Sequence, residues 1–210
     1  MKYLTGLSII LGLTLFSSCI KHEVIPAPTP RVDLPASFVA SLNGESYEII
    51  KDVQGYVCKA TQAKELLPTP QLSNVIYYSA LQSDSKLDFI QIGVGRLKFN
   101  ADQSLDPSLG IFTNYFLDNP VHDFSNSAQD GVQIVYRDAT GNIWISDEDD
   151  NAANNLEFIT LKQESDEKGD YMKFTAKFNV ILKLDVDSTH PDFGETLVIS
   201  NATFQGYFKR

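Results

Sequence analysis

Tyr171-Met-Lys-Phe-Thr-Ala-Lys-Phe-Asn-Val-Ile-Leu-Lys-Leu184 carries an apolar residue at every second position from Met172 to Leu184. Between them stand Lys173, Thr175, Lys177, Asn179, Ile181 and Lys183. Successive side chains of a strand point to opposite faces, so this period of two separates a dry face from a wet one, whereas a helical period would mix the lysines into both. One dry and one wet face is the setting of an antiparallel sheet. Met172, Phe174, Phe178, Val180 and Leu182 are therefore expected to enter a core, with Lys173, Lys177 and Lys183 in water.

Outward from this strand the same logic recurs. Phe38 to Ile50 reads as two short strands around Asn43-Gly44, a turn pair that accepts the positive φ a tight hairpin needs. Further strands are expected over Val75–Leu81, Leu87–Phe99, Val132–Arg137, Asn142–Ser146, Leu156–Gln163 and Glu195–Phe208, with Thr140-Gly141-Asn142 turning one hairpin. Within Leu87–Phe99 the apolar phase slips near Gly93 and Gly95, the mark of a bulge or bend. One short helix is expected, with Asp106 as N-cap, Pro107 at the first helical position, Leu109, Phe112 and Phe116 on one face, and Asn119-Pro120 as the stop. Eight or more short strands with turns between them define an all-β fold, read as an antiparallel β-sandwich, with a lipocalin-like barrel as the alternative.

Composition bounds the partners. The chain has 210 residues and a formal charge of −10, which becomes −11 if the segment carrying Lys2 is removed. Such a surface repels phosphate backbones, so nucleic acid is excluded as a partner. No basic cluster offers adhesion to anionic lipid either. Two cysteines, Cys19 and Cys58, provide no disulfide framework if the first is used otherwise, and Cys58 reads as a small buried hydrophobe.

The beginning of the chain has a different character. Lys2 precedes an apolar run from Leu4 to Phe16, and Ser17-Ser18 are small residues before Cys19. The run of about 13 residues is shorter than the roughly 20 that a spanning helix requires, so it reads as a signal peptide over residues 1–18. Pro26, Pro28, Pro30 and Pro35 then fix φ and remove amide donors, so residues 19–36 read as an extended tether before a single β-rich domain over 37–210.

Leu15-Phe16-Ser17-Ser18-Cys19 resembles the lipobox of bacterial lipoproteins, with Phe16 where Leu is usual. The resemblance implies that Cys19 becomes the acylated N-terminus, and a doubly or triply acylated residue holds a membrane stably where one chain does not. By resemblance to Gram-negative sorting rules, Ile20 in place of Asp directs the protein to the outer membrane, with periplasmic or surface display left open. The stretches Phe38-Val-Ala-Ser-Leu-Asn-Gly-Glu45 and Ser200-Asn-Ala-Thr-Phe-Gln-Gly-Tyr-Phe208 resemble small, uncharacterised β-domain lipoproteins of Bacteroidetes. That resemblance implies a fold and an address but no activity.

No phosphate loop, His-Glu-x-x-His, nucleophile elbow or Cys-x-x-Cys occurs, and His22, His122 and His190 fall in the tether and two expected loops. The reading is therefore a non-catalytic protein without a cofactor. Its outer-membrane lipid is reached through Cys19, and its ligand is a glycan or another cell-envelope protein. A lipocalin-like carrier or a secreted hydrolase is the alternative. Trp144, Tyr77 and Tyr115 are the candidate sugar-stacking residues, Trp144 because it faces outward if Ile143 and Ile145 face the core, with a strand covered on both faces as the competing reading. Asp147-Glu148-Asp149-Asp150 and the set Asp185, Asp187 and Asp192 collect oxygen ligands for calcium without the full loop pattern, so a solvated acidic loop is the competing reading. Asp187-Ser188-Thr189 resembles the O-glycosylation signal of exported Bacteroidetes proteins, with Ser188 as acceptor.

Overall fold

A computed structural model of the chain describes residues 31–102 and 104–210; the expected signal peptide, Cys19 and the expected tether up to Pro30 lie outside the described residues. The alternating stretch is the spine of the fold. It forms β10 (Gly169–Leu184), paired antiparallel along its length with β11 (Thr196–Lys209). Met172, Phe174, Phe178, Val180 and Leu182 are all buried, as the periodicity requires. Lys177 is exposed, while Lys173 and Lys183 lie half-buried on the wet face because each holds acids: Glu164 at 3.1 Å from Lys173, and Asp147 at 3.3 Å and Asp150 at 3.1 Å from Lys183.

From this spine the sheet extends both ways. On one side follow β1 (Ser37–Leu42) and β2 (Glu45–Ile50), joined through Asn43 at φ 49° and Gly44 at φ 94°, the expected hairpin. On the other side β10 divides. Its first half pairs with β9 (Asn155–Asp166) and its last residues with β8 (Ile143–Ser146). Beyond β8 lie β7 (Val132–Arg137), β5 (Phe89–Phe99), β4 (Ser73–Ser83) and β3 (Tyr56–Glu65), while β6 (Val121–Asp123) pairs with β9. The described residues form one all-β antiparallel sheet of 11 strands.

The sheet curls, so its two halves face one another. Tyr207 Oη donates to the Cys58 carbonyl at 2.9 Å, bringing β11 to β3, and a Cβ on Gly206 would lie 2.9 Å from Ser79 Oγ of β4. Glycine is needed at that close approach. The expected bend in β5 is a bulge: Val75 pairs with Leu97 but Tyr77 pairs with Val94, leaving Gly95 and Arg96 opposite Ile76. The space between the halves is filled with rings, among them Phe174 against Phe208 at 4.6 Å and Phe38 against Phe204 at 6.0 Å. Each such ring contributes about 1.5–3 kcal/mol by leaving water.

The helix, α1 (Leu109–Leu117), buries Phe112 and Phe116 as expected, whereas Leu109, expected on the same face, is 38% exposed at the first turn. Its N-cap is Ser108, whose Oγ accepts from Ile111 N at 3.3 Å, rather than Asp106. Asp106 is drawn instead into an ion pair with Lys64 of β3. Strand β3 escapes the periodicity argument because its inward positions are Tyr56, Cys58, Ala60 and Gln62, of which the later ones are small or polar. Its lysines suit an edge, where charge discourages pairing with another chain.

The described residues ahead of β1 are tied to the domain. Val32 N donates to Asp166 Oδ2 at 2.9 Å, Leu34 O accepts from Lys51 Nζ at 2.9 Å, and Ala36 is buried. Pro35 does not prevent this, because these anchors need no amide from proline.

Candidate functional site

The division of β10 creates the most distinctive surface of the domain. Between its pairing with β9, which ends at Phe178↔Leu156, and with β8, which begins at Leu182↔Ser146, the ladder has a gap. The side chain of Asn151 closes it. Asn151 Oδ1 accepts from Ile181 N at 2.8 Å, and its Nδ2 donates to the carbonyls of Ile181 at 2.8 Å and Asp147 at 2.7 Å. An amide side chain thus takes the place of a strand peptide, satisfying backbone groups that burial would otherwise penalise. The turn that carries Asn151 then swings Ala153, Asn154 and Asn155 over the wet face.

On the opposite flank β11 bulges. Phe178 pairs with Ala202 but Val180 with Ile199, so Ser200 and Asn201 together oppose Asn179. Asn201 adopts φ 52°, a conformation that asparagine tolerates, and its N–H donates to Asn179 Oδ1 at 2.7 Å. Between turn and bulge lies an open cleft of about 430 Å³. Its polar lining is Asn154, Asn155, Glu157, Lys177, Asn179, Asn201 and Thr203. Glu157, Lys177 and Thr203 are cross-strand neighbours in one row.

This arrangement presents amide donors and acceptors in both directions, with one acid and one base that balance. Side-chain amides can satisfy hydroxyls or peptide groups of a ligand, each offering two donors and one acceptor oxygen. The lining contains neither cysteine nor histidine, so the cleft offers polar recognition without a nucleophile and base pair of that kind.

The structure redistributes the residues singled out in the sequence. Trp144 does not face outward. Cross-strand partners share a face, and Trp144 stands opposite Leu184 and Tyr136, both buried, so it turns inward while Ile143 is 37% exposed. Its indole Nε1 donates to Asp138 Oδ2 at 3.1 Å. Burial acts to raise the pKa of Asp138, but hydrogen bonds from Thr140, Trp144 and the backbone outweigh it and hold the carboxyl below the usual range. Tyr77 is fully buried beneath α1, and Tyr115 is half-buried beside Phe116 at 5.0 Å between ring centroids. None of the three offers a ring face for stacking in the cleft.

The acidic residues also separate. Among the described residues no group of three or more His, Cys, Asp or Glu side chains is placed to hold a metal ion. Asp187 Oδ1 is taken by Thr189 N and Oγ1, both at 2.9 Å, Asp192 lies beside His190, and Asp185 is exposed. Asp147 and Asp150 are held by Lys183. Ser188 is exposed in the turn between β10 and β11. His122, expected in a loop, belongs to β6 and lies half-buried against Phe158 at 5.6 Å. Cys58 is buried, and burial pushes its thiol pKa up.

The cleft residues were not singled out in the sequence. Asn154-Asn155 in a turn and a lone Asn179 among alternating residues are ordinary features, and only the bulge and the gap in the ladder assemble them. Comparison with models of known families, with curated proteins and with solved structures returns no match.

Proposed function

We propose that this chain is an exported, lipid-anchored lipoprotein of the outer membrane, of the Bacteroidetes type, whose β-domain binds a neutral polar ligand in the asparagine-lined cleft without catalysis. The ligand class that fits best is a glycan, because paired amides meet the paired hydroxyls of a sugar and the lining carries no net charge. The observation that carries this reading is the convergence of Asn154, Asn155, Asn179 and Asn201 at one bulge. A second cell-envelope protein presenting backbone amides is the other ligand of the same chemistry. The carrier alternative fits less well, since rings fill the interior of the curl.

Two measurements test the reading. Asn201→Gly keeps the positive φ and removes only the amide, and Asn155→Ala changes an exposed position. On a broad glycan array each variant is expected to bind about five- to tenfold more weakly than the wild type, the loss of a hydrogen bond of about 1–1.5 kcal/mol, with an unchanged melting profile. No glycan signal from the wild-type protein removes the ligand assignment. Detergent-phase partitioning and mass spectrometry of the mature N-terminus test the anchor: wild type in the detergent phase with an acylated Cys19, and Cys19→Ala in water with its domain still folded.

A further inference from the structure

Helix α1 leaves apolar side chains exposed on either side of Asn114, away from the core. No charged residue stands between Asp106 and Asp118. Phe112 and Phe116 point into the core, yet Ile111 is 44% and Leu117 50% exposed on the other side. Leu105, just before the helix, is 64% exposed. The loop bearing exposed Leu66 and Leu72 is tied to the same place, since Lys64 pairs with Asp106 and Thr69 Oγ1 donates to Asp102. Clustered exposed apolar side chains mark a contact surface.

The position of the chain entry says what lies there. Val32 is hydrogen-bonded to Asp166 at the β9–β10 hairpin, where Asp166 pairs with Gly169. Next to it, Asp170 accepts from Arg210 Nε at 2.7 Å, and Arg210 Nη1 donates to the Pro107 carbonyl at 2.9 Å, one residue before the N-cap of α1. The chain therefore enters the domain at the end that carries the helix. Only Ile20 to Pro30 separate Cys19 from that entry, a span of at most about 35 Å when extended.

We propose that the outer face of α1, with Leu66, Leu72 and Leu105 beside it, rests on the lipid leaflet that holds the anchor. The proposal depends on the lipoprotein reading given above. Zwitterionic headgroups are the matching surface, since Asp102 and Asp118 flank the patch and Lys64 already serves Asp106.

Nitroxide labels on the full lipidated protein in phosphatidylcholine vesicles test this, in a Cys58→Ala background with Ile111→Cys or Leu87→Cys. Leu87 is 55% exposed at the opposite end of the sheet. The label at 111 is expected to collide with oxygen far more than with a water-soluble nickel chelate, its oxygen-to-nickel ratio several-fold above that of the label at 87. Equal ratios in protein that floats with the vesicles overturn the membrane face and leave the anchor standing. A label at 111 shielded from both reagents points to a second protein copy on the helix and overturns it too. Protein that fails to float removes the anchor, and the proposal with it.

Discussion

The two ends of the curled sheet are closed by different chemistry. At one end α1 drives Phe112 and Phe116 against Tyr77, Phe158 and Phe208, with Phe116 stacked on Phe208 at 4.8 Å and 10°. At the other end Tyr47 Oη donates to Asp88 Oδ2 at 2.5 Å, with Tyr136 edge-on to Tyr47 at 5.7 Å and Tyr56 buried beside the same carboxylate. Tyrosine hydroxyls occur at both ends, but among the described residues those of Tyr77 and Tyr115 have no hydrogen-bond partner. The helix end is held by area and packing, the opposite end by a directed, charge-assisted bond. The same residue type thus contributes stability at one end and carries an unmet polar group at the other.

The largest effect expected is from Phe116→Ala, which empties the centre of the helix end. A loss of about 3–5 kcal/mol is expected, measured by denaturant unfolding. A loss below about 1 kcal/mol would mean that the helix is not a structural plug. A matched pair then tests the contrast directly. Tyr47→Phe removes the donor from Asp88 and is expected to cost about 1.5–3 kcal/mol, whereas Tyr77→Phe removes an unpaired buried hydroxyl and is expected to be neutral or stabilising. Equal costs for the two would dissolve the distinction between the ends.

Alkaline titration sharpens it further. Burial first, and the neighbouring Asp88 second, push the phenols of Tyr47 and Tyr56 well above the ordinary value. Tyr207 is pushed up to about 12, mainly by burial. Unfolded tyrosines ionise near about pH 10 while the native state keeps these protons, so the stability they contribute is whole below pH 10 and declines as the pH rises above it. Unfolding free energy is expected to fall steeply there, and less steeply in Tyr47→Phe.

The smallest effect lies on the acid side at the helix end. Burial lowers the pKa of His122, whose Nε2 has no partner among the described residues. The stability linked to it is present above about pH 6.5 and is lost as the pH falls below, where the unfolded imidazole takes up a proton that the native one resists. His122→Phe is expected to flatten that limb, and an unchanged acid limb would place the dependence on other groups.

Much of this architecture was legible from local pattern. The period of β10, the Asn43-Gly44 turn, the slip at Gly93 and Gly95, and the paired phenylalanines of α1 each express a rule that acts within a few residues. The cap of α1 is not decided locally, because Ser108 and Asp106 are both capping residues and Asp106 is engaged by distant Lys64. The facing of Trp144 is not legible locally, because Ile143-Trp144-Ile145 is apolar on both faces and the choice depends on the register with Leu184 and Tyr136.

By itself the sequence determined the all-β class, the hairpins, the helix and the buried face of β10, since periodicity and turn chemistry are properties of neighbouring residues. The resemblance of Leu15–Cys19 to a lipobox is likewise contained in five consecutive residues. Only the tertiary structure decided how far the sheet curls, that Asn151 completes a broken ladder, and that four asparagines meet in one cleft. It also decided that Val32 fastens the chain entry beside α1. Each of these depends on residues far apart along the chain, from Val32 and Asp166 to Asn151 and Ile181, and on hydrogen bonds that exist only once the strands between them have paired.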